Sequence, residues 1–323
     1  MPAAGHACFG FRHCTLGAAL ERGDFQLVST REYNAELILD ARATLGEGAL
    51  WDVDRHALWW VDIEQGQVHC FDPDSNTNQT YDVGQRVGTV VTRASGGLML
   101  AVENGFASFD LETNALQIVG DPESDQPGNR FNDGKCDPAG RFWAGTMSMG
   151  DARAADGALY CLNTAGQIQK HLDGVRVSNG LVWTADRSTM YYIDSRTRRV
   201  DALDYEDGTG QITNRRPVVE VEPELGGPDG MAIDTDDNVW VALFRGSAVA
   251  CFDPRNGKQL ARIDLPASRV TSCAFGGPNL QDLYITTARI GLSEDEQLAQ
   301  PHAGGVFCAR VEARGVPSFA YGG

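Results

Sequence analysis

Four short stretches of the chain carry an oxygen-bearing side chain five residues ahead of a second one. Glu47 precedes Asp52, Asn132 precedes Asp137, Asn179 precedes Thr184, and Asp229 precedes Asp234. Each pair brackets a glycine and a mostly apolar run, as in Glu47-Gly48-Ala49-Leu50-Trp51-Asp52 and Asp229-Gly230-Met231-Ala232-Ile233-Asp234. In Asn132-Asp133-Gly134-Lys135-Cys136-Asp137 the glycine is displaced by one place. Two carboxylates and two carboxamides drawn to one point form a hard donor set that suits a divalent cation. A cation held this way can polarise a carbonyl or acidify a water. Taken singly, each stretch also reads as a turn, because Asn-Gly and Asp-Gly turn the chain without any metal. The shared spacing is what argues for a common centre.

Such a centre needs elements that repeat. From about residue 36 onward, β-rich runs alternate with short Gly, Asp and Asn turns in six units of blade-like length. Ala57–Ile63 leads through Gly66 to Val68–Pro73, and Asn238–Leu243 leads through Gly246 to Val249–Pro254. No long amphipathic helix interrupts them. The pattern predicts an all-β, six-bladed β-propeller over residues 36–323, a single catalytic domain in which stacked blades bury one another's faces. A pair of β-sandwiches fits the regular period less well. The first strand of each blade lines the central channel, and the residues ending these strands are Asp52, Thr92, Asp137, Thr184, Asp234 and Gly276. Counting back five gives Glu47, Val87, Asn132, Asn179, Asp229 and Thr271 at one height. Carboxylates isolated in a dry channel are costly without a partner charge, which a cation would supply.

The formal net charge of −17 argues against nucleic acid or an anionic membrane as partner and is compatible with binding a cation. The eight cysteines form no CxxC pair, so reduced, buried thiols are expected rather than a zinc–thiolate site or a disulfide framework. No apolar run approaches the length of a membrane helix, and the first residues lack the order of a secretory signal. The expected compartment is the cytoplasm. Residues 1–35 lack strand alternation and read as an N-terminal extension, a candidate for disorder, with a short helix-compatible run at Thr15–Glu21.

Other chemistries lack support. The six histidines, among them His302 in the last long loop, show no metal-ligand spacing. No GxSxG elbow occurs, and no glycine-rich phosphate loop opens a helix. Ser178 and Ser195 read as structural hydroxyls. The tryptophans read as blade packing, with Trp51 and Trp183 as candidate floors of a pocket.

Several segments together resemble the senescence marker protein (regucalcin), gluconolactonase and sugar-lactonase family. They are Leu45-Gly46-Glu47-Gly48, Arg130-Phe131-Asn132-Asp133-Gly134-Lys135, Ala144-Gly145-Thr146-Met147, Ser178-Asn179-Gly180, Tyr192-Ile193-Asp194-Ser195, Pro228-Asp229-Gly230-Met231 and Ala303-Gly304-Gly305-Val306-Phe307. The resemblance runs from about Leu37 to Tyr321. It implies a six-bladed propeller with one divalent cation (calcium, zinc, manganese or magnesium) on Glu47, Asn179 and Asp229. It further implies that Asn132 and Arg130 bind substrate, and of these five residues only Arg130 comes from the resemblance alone. The implied activity is hydrolysis of a sugar lactone to the aldonic acid. Asp229 is then the general base that takes a proton from water. One departure stands out. Relatives of the animal type carry acidic residues just after the Ala-Gly-Thr-Met segment, where this chain has Ser148-Met149-Gly150. Pentonolactones such as arabinono- and xylonolactone therefore compete with gluconolactone as the expected substrate. The alternatives are a calcium-binding regulatory protein of the regucalcin type and a broader esterase acting on lactones or organophosphates.

Overall fold

Residues 30–323 are described by a computed structural model of the protein. Six four-stranded antiparallel blades, one of them extended by a parallel edge strand, stand around a central channel, each contributing its innermost strand to the channel wall. These inner strands are Gly46–Asp52, Val87–Thr92, Asn129–Cys136, Ser178–Trp183, Gly227–Ile233 and Val270–Gly276. They are buried along nearly their whole length, and exposure rises outward through each sheet. The sequence follows this gradient: apolar and small residues fill inner strands, whereas Thr77–Asp82 and Gln211–Glu220 at the rim are mostly polar.

Within blades one to five the first four strands follow one another outward in chain order. The sixth is completed from the other end of the chain. Glu36–Leu39 pairs antiparallel with Val306–Arg310 as the outermost strand, so closure of the ring ties the two ends together. The strand before it, Arg31–Asn34, lies in the stretch that the sequence alone left in the N-terminal extension. It runs parallel to Lys258–Asp264 and gives blade five a fifth strand. The helix-compatible run at Thr15–Glu21 lies outside the described residues.

Aromatic contacts weld neighbouring blades. Trp51 stacks on Tyr284 at 5.1 Å between blades one and six, and Phe106 meets Phe131 at 4.8 Å between two and three. Trp143 meets Trp183 at 6.3 Å between three and four. Such rings bury large apolar area and prefer offset or tilted contacts of this kind. Trp51 and Trp183 both take part in blade packing, and Trp183 also lines the small cavity beneath the C-terminal segment. All six cysteines among the described residues are free thiols.

The two faces of the propeller differ. On one lie the N-terminal ends of the inner strands. The second strand of each blade runs antiparallel, so its C-terminal end and the loop after it lie on the same face. The opposite mouth is covered by the C-terminal segment, which is anchored at Gly315 to Asp234 of blade five and at Tyr321 to Arg93 of blade two. Val316 and Phe319 there enclose a small, mostly apolar cavity with Ile233 and Phe275.

Candidate active site

Every inner strand breaks its pairing with the second strand once, and always at the same height. The shift falls between Glu47 and Leu50, Val87 and Thr89, Phe131 and Gly134, Asn179 and Leu181, Pro228 and Met231, and Val270 and Ser272. A bulge leaves a residue out of the ladder and re-aims its side chain. Here six bulges form a ring at the level of the row: Asn132, Asp229 and Thr271 lie within their bulges, and Glu47, Val87 and Asn179 are the last paired residues before theirs. Two glycines let the strands close up at this level. A Cβ on Gly180 would stand 3.0 Å from the Asp229 carbonyl oxygen, and one on Gly230 would stand 2.7 Å from Ser272 Oγ.

The four polar members are buried: Glu47 is 4% exposed, Asn132 5%, Asn179 2% and Asp229 7%. They are not equivalent. Asn132 is fully engaged by protein. Its Oδ1 accepts from Arg130 Nη1 at 2.7 Å, and its Nδ2 donates to Ser178 O at 2.8 Å and to Asn179 Oδ1 at 3.0 Å. Asn179 Nδ2 donates to Ser195 Oγ at 2.8 Å, and Ser195 Oγ donates to Pro228 O at 2.6 Å. This relay crosses blades three, four and five and sets the orientation of both amides. It also gives Ser195, expected as a structural hydroxyl, the specific role of positioning the Asn179 amide. Thr271 is used otherwise, since its hydroxyl donates to Gly46 O at 2.5 Å and ties the last blade to the first.

The carboxylates are nearly bare. Glu47 accepts one bond, from the N–H of Gly48 at 3.1 Å, and among the described residues Asp229 accepts none. Burial pushes the Glu47 carboxyl up to about 8, and the charge of Asp133 adds to the shift against Gly48, Arg130 and Lys135. Asp229 is driven well above the usual carboxylate range, first by burial and then by Glu47 and Asp133. Asp133 is raised by its own burial; one oxygen accepts from Gly134 N at 2.7 Å and the other is buried without a partner. Two cations face these three acids. Lys135 Nζ donates to the Met231 carbonyl across the channel, and Arg130 is 6% exposed with Nη1 on Phe131 O at 2.9 Å. Burial works against the Arg130 charge, and Glu64 and Glu47 are the main groups that support it.

Sequence reasoning about the row passed over Asp133 and Lys135. In a regular strand, neighbours point to opposite faces, so choosing Asn132 discards Asp133. The bulge between Phe131 and Gly134 suspends that rule.

Among the described residues no three His, Cys, Asp or Glu side chains converge closely enough to hold an ion by themselves. The fit to a divalent cation therefore depends on the amide. Glu47 and Asp229 offer bare oxygens that repel each other, and Asn179 Oδ1 keeps a lone pair beyond the bond from Asn132. A donor set of two carboxylates and one amide oxygen suits a hard cation, whose charge would offset the repulsion.

Residues 45–289 match the family described as "SMP-30/Gluconolactonase/LRE-like region". The Bacillus subtilis protein named "Putative sugar lactone lactonase YvrE" is 40% identical over 290 residues, covering 90% of this chain and 99% of that one. Regucalcin of Xenopus laevis is 39% identical over 290 residues, covering 88% and 96% respectively. The crystal structure of a calcium-binding protein, regucalcin, from Agrobacterium tumefaciens superposes with a TM-score of 0.86 at 26% identity, covering 91% of this chain and 99% of that one.

Proposed function

The chain belongs to the SMP-30/gluconolactonase/LRE-like family, and on that premise we propose that it is a metal-dependent sugar lactonase that opens an aldonolactone to the aldonic acid. The observation that carries this reading is the pair of buried, nearly unbonded carboxylates, Glu47 and Asp229, facing one channel beside an oriented amide. Glu47, Asn179 and Asp229 would hold the cation. When bound, it supplies Lewis acidity toward the lactone carbonyl and lowers the pKa of water.

The remaining steps belong to the protein. Asp229 has no hydrogen-bond donor to satisfy among the described residues, so its carboxylate is free to accept the proton of the attacking water. Arg130 has only Nη1 committed to protein, and its other N–H groups serve the sugar hydroxyls. Asn132 holds Arg130 and Asn179 in mutual register. Burial excludes bulk water and keeps these dipoles fixed, which is where electrostatic catalysis gains most.

The test is a panel of pentono- and hexonolactones assayed with chelated protein, returning one cation at a time. Activity should vanish in chelator and return with a preferred ion. Full activity in chelator overturns the metal-dependent scheme. Cation binding with no hydrolysis of any lactone favours the regulatory, calcium-binding reading instead. Against that reading stands the buried Arg130, a cation beside the acids that an ion store has no use for.

A further inference from the structure

We propose that Glu64, Arg86, Glu103 and Met149 form the wall that selects the far end of the substrate, and that this wall accepts an uncharged, hydroxyl-bearing tail and rejects an anionic one. The inference rests on the lactonase reading and goes beyond it by assigning substrate selection to four residues outside the channel row.

The four side chains come from loops that meet on the site face. Glu64 follows the second strand of blade one, whose Val61 pairs with Glu47. Arg86 precedes the inner strand of blade two, and Glu103 follows the second strand of that blade, the two being joined by Glu103 N donating to Arg86 O at 2.8 Å. Met149 follows the second strand of blade three, where Met147 pairs with Arg130. Arg86 gathers them. Its Nε donates to Glu64 at 2.9 Å, and its Nη1 donates to Glu103 at 3.2 Å and lies 3.8 Å from Met149 Sδ. The cluster is part-exposed, with Arg86 at 39% and the two glutamates at 24% and 27% of their side-chain area. Glu103 and Arg130 line the same polar cavity of about 150 Å³.

The chemistry of this wall is specific. Arg86 is already shared by two carboxylates, so it has little charge left for a phosphate or carboxylate on the ligand. Each glutamate keeps lone pairs free to accept from hydroxyls, and Arg130 offers free N–H groups to donate to them. A sugar hydroxyl both donates and accepts, and it matches such a mixed wall. An anionic tail would meet two carboxylates and a protein of net charge −17. Met149 supplies no strong acceptor, so the acceptors at this edge come from the two glutamates.

The experiment compares D-glucono-1,5-lactone with its 6-phosphate in wild-type protein and two variants, read as the ratio of kcat/KM after subtracting the chelated background. Wild type should prefer the neutral lactone. Glu64→Gln combined with Glu103→Gln frees Arg86, and the preference should fall roughly tenfold, mainly through KM for the phosphate ester. Arg86→Met leaves the glutamates uncompensated and should raise the preference. Opposite movement in the two variants is a result that a merely structural brace would not give. An equal rate on both lactones in wild type, or a ratio unmoved in both variants, overturns this inference while leaving the lactonase reading intact. Hydrolysis of neither lactone, nor of any in the wider panel, overturns the reading and the inference together.

Discussion

Four of the six repeats place two oxygen-bearing side chains five residues apart, and the fold treats the carboxylates of the two rows in opposite ways. At the C-terminal ends of the inner strands, Asp137 accepts from Ala139 N, Arg141 N, Arg141 Nε, Trp143 Nε1 and Tyr205 OH, all within 3.0 Å. Asp234 likewise accepts from Asp236 N, Asn238 and Trp240 Nε1, and Asp52 from Asp54 N, Arg55 N and Trp59 Nε1. These acids close the turn and pin the tryptophan of the next strand. At the other end of the same strands, Glu47 and Asp229 have almost nothing. Residue type is alike in the two rows, and what differs is the supply of donors. A buried carboxylate surrounded by N–H groups is a structural joint, whereas one left bare is costly to the fold and calls for an ion or a substrate.

The sharpest way to break this comparison is to remove one member of each row. Asp229→Ala should lose roughly 10³-fold in kcat/KM on the preferred lactone, the range expected for a general base, while the fold survives. Arg130→Ala should lose less, because in the proposed scheme other polar groups would share the sugar. Steady-state hydrolysis of the lactone panel checks both. An Asp229→Ala enzyme of near wild-type activity would empty the bare row of its meaning.

Removal from the satisfied row should show in stability. Asp137→Ala removes the carboxylate paired with the Arg141 guanidinium, whose side chain is 8% exposed, and one of the two bonds to Tyr205 OH, leaving Arg141 Nη2 on Tyr205 OH and Asp207 O. The expected loss is about 3–5 kcal/mol, as for other broken buried pairs. Urea unfolding gives the number, and Asp229→Asn serves as the contrast. In metal-free protein that change removes a buried ionisable carboxyl and should leave stability equal or higher.

A smaller effect is expected one layer out. Ser195→Ala cuts the bond that orients Asn179 without touching the oxygens proposed to hold the cation. It should weaken cation affinity or turnover by about tenfold, the usual scale for a residue that orients a ligand. Calorimetric titration with the preferred ion separates this from a folding defect. An unchanged affinity would show that Asn132 alone orients the amide.

Much of this was legible in the chain, and the gaps have physical causes. The blade period, the inner strands and the row through Glu47, Asn179 and Asp229 follow from spacing, because stacked repeats put equivalent residues at equal heights. The bulges that aim those side chains were not legible, since a bulge is a property of two paired strands and one strand's sequence does not encode it. Asp133 and Lys135 were lost for that reason. Arg31–Asn34 was lost because a short polar rim strand carries no alternation. The Glu64–Arg86–Glu103 cluster joins residues from two blades, and no local pattern announces it.

The finest distinction between the rows is how they respond to pH in metal-free protein. Glu47 holds its proton to about 8 when folded, against 4.5 for an unperturbed glutamate, and Asp133 and Asp229 move in the same direction. Between those two values the folded state binds more protons than the unfolded chain. Stability contributed by this group is therefore fully present below about 4.5 and is lost as pH rises through about 8. Surface carboxylates such as Asp110 and Asp186 are shifted down by their own hydrogen bonds. They act in the opposite sense and only as pH falls through the acid range, so the two windows separate. In chelator, Tm should decline by a few degrees from mildly acidic to mildly alkaline buffer, and Glu47→Gln should flatten part of that slope. Returning the cation should reverse the trend, because ionised oxygens bind it best and its affinity then grows with pH. A chelated protein whose Tm is level or rising across this window would mean that the channel carboxylates are already satisfied, and the contrast between the two rows would disappear.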